Sequence, residues 1–181
     1  TGEVTAWLNG VKKSFTVRLK VESCMVPYES RIIADLNNYA DNISPNYPRL
    51  AANPQRYRDG SYFEIEKQFI TLAREHRCLF QNLNYLHSGR PVESFAPELE
   101  GEGKNIRVKS WELFDRHFGP YLDGSAFAGS RRGELPIEFM FTPFNLGWPA
   151  DYTKWGEPGF KTEYKRILWE FLRHFEEKGW T

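Results

Sequence analysis

The stretch RIIADL, Arg31 to Leu36, decides the fold. It is a short apolar run without alternation, which marks a strand buried on both faces, as in a parallel sheet. A long polar loop with Pro45, Pro48, Pro54 and Gly60 follows, and then SYFEIEKQFITLA, Ser61 to Ala73. In this second stretch Tyr62, Ile65, Phe69, Leu72 and Ala73 recur at helical spacing, so the helix buries one face. Ser61 and Glu64 stand where a capping box needs them.

This order of strand, loop and helix repeats downstream. LFQNLNYL, Leu79 to Leu86, reads as a second strand that runs into the polar turn HSGR. An acidic stretch with Glu93, Glu98, Glu100 and Glu102 follows and reads as a solvated loop, with calcium binding as the alternative. Ser110 then caps a helix, WELFDRHF, which Gly119-Pro120 is expected to stop. PIEFMFT, Pro136 to Thr142, reads as a third strand with Ile137, Phe139 and Phe141 on one face. The loop PFNLGWPADYTKWGEPGF leads from it into the last helix. There Tyr164, Ile167, Leu168, Phe171, Leu172 and Phe175 form the apolar stripe, with Arg166–Glu170 and Arg173–Glu177 spaced for ion pairs and Gly179 as the stop.

Ahead of Arg31 the pattern is different. Glu3 to Leu8 and Ser14 to Val21 alternate, and Asn9-Gly10 between them is a strong hairpin signal. Phe15, Val17, Leu19 and Val21 share one face, and a lone hairpin needs a partner for such a face. The expected architecture is therefore α/β: a partial (β/α) TIM-type barrel with parallel strands, preceded by a short antiparallel hairpin. Residues 1–28 would be the hairpin, the end of a β-sandwich or a linker region. Residues 29–181 would be the first three or so βα units, because a full eight-stranded barrel takes about 250 residues. The expectation is thus a fragment whose open sheet edge is covered by another chain or another copy.

With a formal net charge of zero, strong electrostatic attraction to nucleic acid is not expected, and no apolar run reaches the length that crosses a membrane. Cys24 and Cys78 match no metal or redox spacing and read as free and buried. No cofactor or metal is expected: His76, His117 and His174 lie on helices without ligand spacing, and neither a nucleophile elbow, a dinucleotide loop nor a phosphate loop occurs. Aromatic residues make up 16% of the chain, more than a core of this size needs, so some rings belong in loops or grooves.

Parallel α/β folds collect function at the carboxyl ends of their strands. Read that way, the first end supplies Asp35, Asn37 and Tyr39, the second His87 and Arg90, and the third Asn145, Trp148 and, further out, Trp155. Polar groups that bond hydroxyls, beside flat rings that take the C–H face of a pyranose, suit an oligosaccharide. Each residue also has a plain structural role open to it: a turn shaped by Asp35 and Asn37, a fixed hydrogen bond for His87, or loop packing for the two tryptophans. Glycoside hydrolysis needs two positioned carboxyls. Asp35 and Glu138 lie on expected strands, yet Glu138 is mid-strand and suits an arginine partner, so no complete catalytic pair is legible.

Several segments together resemble bacterial glycoside-hydrolase-like proteins related to the exo-β-N-acetylgalactosaminidases. These are FTVRLKVESCMVP (15–27), IIADLNNYAD (32–41), SWELFDRHFGPYLDGSAF (110–127) and PIEFMFTPFNLGWP (136–149). The resemblance implies a β-sandwich followed by a (β/α)8 barrel, an O-glycosyl hydrolase of exo-hexosaminidase type, and an extracytoplasmic or secreted setting. In that family the acid and its neighbouring carboxylate stand on a later barrel strand, so no catalytic residue carries over. For this segment the resemblance implies the sugar-binding wall, inactive alone. The alternative is a complete non-catalytic carbohydrate-binding or self-assembling module.

Overall fold

A computed structural model describes residues 1–30 and 32–180 of the protein. Among these the fold is mixed α/β, with three two-stranded sheets, one parallel and two antiparallel, and four α-helices. The hairpin forms at the predicted turn, but its second strand lies earlier than the expected Ser14 to Val21 and leaves Leu19 and Val21 outside it. Strands β1 (Gly2–Leu8) and β2 (Val11–Val17) pair antiparallel. Asn9 and Gly10 both take positive φ, 49° and 78°, as a two-residue turn matched to strand twist requires. Register places Val4 opposite Phe15 and Leu8 opposite Val11, so these side chains share one face. All of it is exposed; Phe15 keeps 57% of its surface in solvent.

The parallel pair is displaced from its predicted position. Strand β3 is Asp35–Tyr39, later than RIIADL, and Arg31 lies outside the described residues. It pairs in register with β4, Leu79–Leu83. Ile32 and Ile33 are exposed rather than buried, and Leu36 remains 53% exposed on a strand with a single neighbour. Ile32 and Ile33, the apolar part of the run, precede the strand instead of forming it, and nothing among the described residues covers the outer side of β3.

Between these strands come a short helix α1 (Pro48–Ala51) and the long helix α2 (Ser61–Glu75). Helix α2 starts where predicted, although its cap is built differently. Gly60 is the N-cap, and Asp59 Oδ1 accepts the Ser61 N–H at 2.9 Å in place of a Ser61–Glu64 box. Asn53 and Ser61 also donate to the Asp59 carboxylate and hold its pKa below the usual range. The buried row of α2 is Tyr62, Glu66, Ile70 and Arg74, at strict i+4 spacing, while Leu72 of the predicted stripe is exposed.

The acidic stretch is partly a sheet. Strand β5 (Glu98–Glu100) pairs antiparallel with β6 (Arg107–Ser110), and Lys109–Glu98 and Arg107–Glu100 salt bridges cross the pair. Helix α3 (Glu112–Leu122) continues through Gly119-Pro120. Its last turn persists because Tyr121 and Leu122 are buried in the core and Gly119 lets the Trp180 ring lie against the helix; a Cβ there would be 3.3 Å from that ring. Burial of such side chains outweighs the local preference to end the helix.

PIEFMFT is not a strand. It lies beside β4 but is bonded to it through side chains: Gln81 accepts from Phe141 N at 2.8 Å and donates to Phe139 O, and Asn84 donates to Phe141 O at 2.7 Å. Two side-chain amides thus stand in for the backbone ladder that the apolar alternation suggested. Glu138 pairs with Arg132 at 3.1 Å, the arginine partner expected for it.

Helix α4 (Pro158–Lys178) ends at Gly179 in the left-handed conformation, as predicted. Phe160, Ile167 and Phe171 are buried, together with Glu163 and His174, whereas Leu168 and Leu172 are largely exposed. Among the described residues the predicted ion pairs do not form. Arg166 donates to Ile106 O and Glu170 accepts from Val108 N, so both bind the β6 region instead. Around Phe171 the core is aromatic: its ring meets Trp111, Phe114, Phe144, Trp148 and Phe175. Cys24 and Cys78 are free as expected, but Cys24 is exposed.

Candidate functional site

Because β3 and β4 are parallel, Tyr39 and Leu83 mark the same edge, and the loops leaving it are neighbours. The Tyr39 ring stacks on His87 with centroids 3.9 Å apart, and Tyr85 meets Tyr39 edge-on at 6.0 Å. Asp41 Oδ1 lies 2.9 Å from His87 Nδ1, with both side chains partly in solvent. An ionised carboxylate can only accept, which makes Nδ1 the donor in this pair.

A close backbone approach joins this cluster to the loop that follows the third segment. A Cβ on Gly147 would lie 3.1 Å from Gly89 O, so the two loops touch where a side chain would separate them. Arg90 stands near enough to Asp151 for its charge to help lower that carboxyl, although bonds from Thr153 to Asp151 are the larger cause. Asn145 is occupied within its own turn: Oδ1 accepts from Gly147 N at 2.6 Å and Nδ2 donates to Pro143 O at 3.0 Å.

Beyond Asn145 a groove of about 740 Å³ opens between this loop and the start of α4. Trp155, Phe160 and Tyr164 form its aromatic wall, Leu146 adds an aliphatic side, and Lys161 and Lys165 supply the charge. Phe160 packs on Trp155 at 5.3 Å and on Tyr164 at 4.9 Å, which fixes the orientation of the three rings. Trp155 nevertheless keeps 68% of its surface exposed, an unusual cost for so large an apolar ring. Burial alone raises the Tyr164 hydroxyl pKa, so it stays protonated and able to donate.

The predicted residues therefore separate into four groups. Tyr39 and His87 meet directly, while Arg90, Asn145 and Trp155 belong to the adjoining loops and groove. Asp35 and Asn37 are elsewhere. Asp35 is the first residue of β3, at its amino end, and Asn37 is in the middle, because the strand starts later than its apolar run. Four residues of strand put Asp35 about 13 Å from Tyr39. Burial raises the Asp35 carboxyl pKa, and its Oδ1 is buried without a hydrogen-bond partner among the described residues. Trp148 is only 8% exposed and packs against Phe144 and Phe171, so its place is the core wall behind the loop.

A buried network beneath the carboxyl-end cluster escaped the reading of the sequence. Glu66 Oε2 lies 2.5 Å from His117 Nε2, and both residues are almost wholly buried. Glu66 Oε1 accepts from Asn82 Nδ2 at 2.5 Å, and the same nitrogen donates to the Tyr62 hydroxyl at 3.0 Å. On the strand side Asn38 donates to Asn82 Oδ1, and Asn42 donates to Asn38 Oδ1. The chain of bonds thus runs from the interior to the loop that carries Asp41. Burial, with the Glu66 charge next in weight, drives the Tyr121 hydroxyl far above its ordinary pKa. The signal available in sequence was Glu66 one turn after Tyr62, inside the helical stripe; its partners Asn82 and His117 came from other elements.

No group of three or more acidic, histidine or cysteine side chains among the described residues could hold a metal ion. No helix among them is long and apolar enough to cross a membrane. A mixed α/β protein with a loop-built aromatic groove is the class that these observations define. Comparison with protein-family models, curated proteins and solved structures finds no match to this chain.

Proposed function

We propose that the chain is a carbohydrate-binding segment of a glycoside-hydrolase-like (β/α) barrel, supplying part of the sugar-binding wall and not cleaving glycans alone. One observation carries the reading: the exposed Trp155 ring, oriented by Phe160, faces a groove lined also by Asn145 and Tyr164. A rigid ring beside polar groups is how a pyranose is held, with its C–H face on the ring and its hydroxyls on hydrogen bonds. The Tyr39–His87–Asp41 cluster extends the same surface through the Gly89–Gly147 contact. No pair of carboxyl groups among the described residues lines the groove, where two would be needed for hydrolysis. A glycan array probed with the wild type and with Trp155→Ala tests this. Binding that disappears in the variant supports the proposal, and a wild type that binds no glycan overturns it.

The barrel part of the proposal has a structural corollary. The outer edge of β3, with Leu36 exposed, and the apolar hairpin face of Val4, Phe15 and Val17 are covered by another chain or another copy in the working assembly. Light scattering on the purified chain should give a mass above that of one copy. A monodisperse monomer would contradict self-association.

A further inference from the structure

The groove has an electrostatic character that a site for neutral sugar does not need. Of the described side chains lining it, the charged ones are Lys161 and Lys165. They stand one turn apart on α4, so both ammonium groups rise from the same side of the helix. Among the described residues neither forms an ion pair or a side-chain hydrogen bond. Some cations elsewhere among the described residues are held in ion pairs, Arg58 with Glu93, Arg107 with Glu100, Lys109 with Glu98 and Lys178 with Asp115, so these two lysines are set apart by their place in an aromatic groove. Two unpaired like charges at i,i+4 repel one another and weaken the helix slightly, and a shared anion would relieve that repulsion.

We infer that the Trp155 groove takes an acidic oligosaccharide, with one sugar's carboxylate or sulfate between Lys161 and Lys165 and its C–H face on Trp155. The inference rests on the carbohydrate reading and names its substrate class. Geometry and charge act together here. The rings of Trp155 and Phe160 present an apolar bed, and the lysines lie on the α4 side of it. A neutral sugar could use the bed and leave the charges idle. An inorganic anion could use the charges and leave the bed idle. A sugar acid uses both. The neutral overall charge of the protein means that this attraction is local to the groove.

The test is a titration by calorimetry with three sets of probes: oligogalacturonates, sulfated galactose oligomers and the neutral galactose oligomers of equal length. The proteins are the wild type, the Lys161→Gln/Lys165→Gln double variant and Trp155→Ala. Lys161, Lys165 and Trp155 are all exposed, and unchanged melting curves would show that the variants fold. The expected result is binding of an acidic set, weakened roughly tenfold by the double lysine variant and again by added salt. Preference between the carboxylate and sulfate sets then tells which anion is bound. Neutral oligomers binding as tightly as acidic ones, with no effect of the lysine variant, would overturn the inference and leave the carbohydrate reading standing. Binding of none of the three sets would overturn the inference, and the array experiment above then decides the carbohydrate reading separately.

Discussion

Replacing Glu66 with alanine should destabilise the protein severely, and the structure gives the size of the effect. The carboxylate is 1% exposed and binds His117 Nε2 and Asn82 Nδ2, each at 2.5 Å. Its removal leaves two buried donors without that acceptor, each costing about 1–3 kcal/mol, and opens a void beside Tyr62 and Tyr121. The sum is about 3–5 kcal/mol, a large fraction of the 5–15 kcal/mol typical of a whole domain. For a chain of this size each kcal/mol moves the melting temperature by about 2–4 °C, so a fall of about 10 °C is expected in a thermal melt followed by circular dichroism. Glu66→Gln keeps the shape and one acceptor but turns a second donor toward His117, so its loss should be intermediate. An alanine variant melting within about 2 °C of the wild type would refute the buried network as described.

Trp148 and Trp155 should behave as opposites. Trp148→Ala removes a ring packed on Phe144 and Phe171 and should cost about 3–5 kcal/mol in denaturant unfolding, whereas Trp155→Ala should leave the midpoint almost unchanged. Asp35→Asn should stabilise the protein at neutral pH. Burial raises the carboxyl above its ordinary 3.8, so ionisation is penalised in the folded state. The wild type loses that stability as pH rises through the shifted value, and the gain in the variant vanishes below the ordinary one; a gain independent of pH would contradict this. Gly124→Ala should unfold more easily by more than about 1 kcal/mol, because its φ is +86° and a Cβ would lie 2.2 Å from Glu134 O; equal urea midpoints would count against it.

What could be read from sequence followed the range of the interactions. The hairpin turn at Asn9-Gly10, the start of α2 and the stop at Gly179 are set by neighbours a few residues apart, and all three were legible. Long-range packing decided the rest. The end of α3 was misplaced because burial of Tyr121 and Leu122 carries the helix past Gly119-Pro120. PIEFMFT alternates like a strand, yet Gln81 and Asn84 take up its backbone groups before a ladder can. The same limit applied to the site. Tyr39 and His87 were legible because they follow the ends of adjacent strands, whereas a shift of β3 by a few residues moved Asp35 to the opposite end. Trp148 and Trp155 share one loop and looked equivalent; only the position of α4 buries the first and exposes the second. Nothing in the sequence singled out Lys161 and Lys165; only their position beside the loop of Trp155 makes them part of a groove.

The carbohydrate reading is tested most directly by the indole N–H resonances of the six tryptophans during titration with a bound oligosaccharide, with Trp155 assigned by Trp155→Phe. The account predicts that the Trp155 signal moves with the ligand while the signal of buried Trp148 stays in place. A Trp155 signal that remains still at saturation would contradict it.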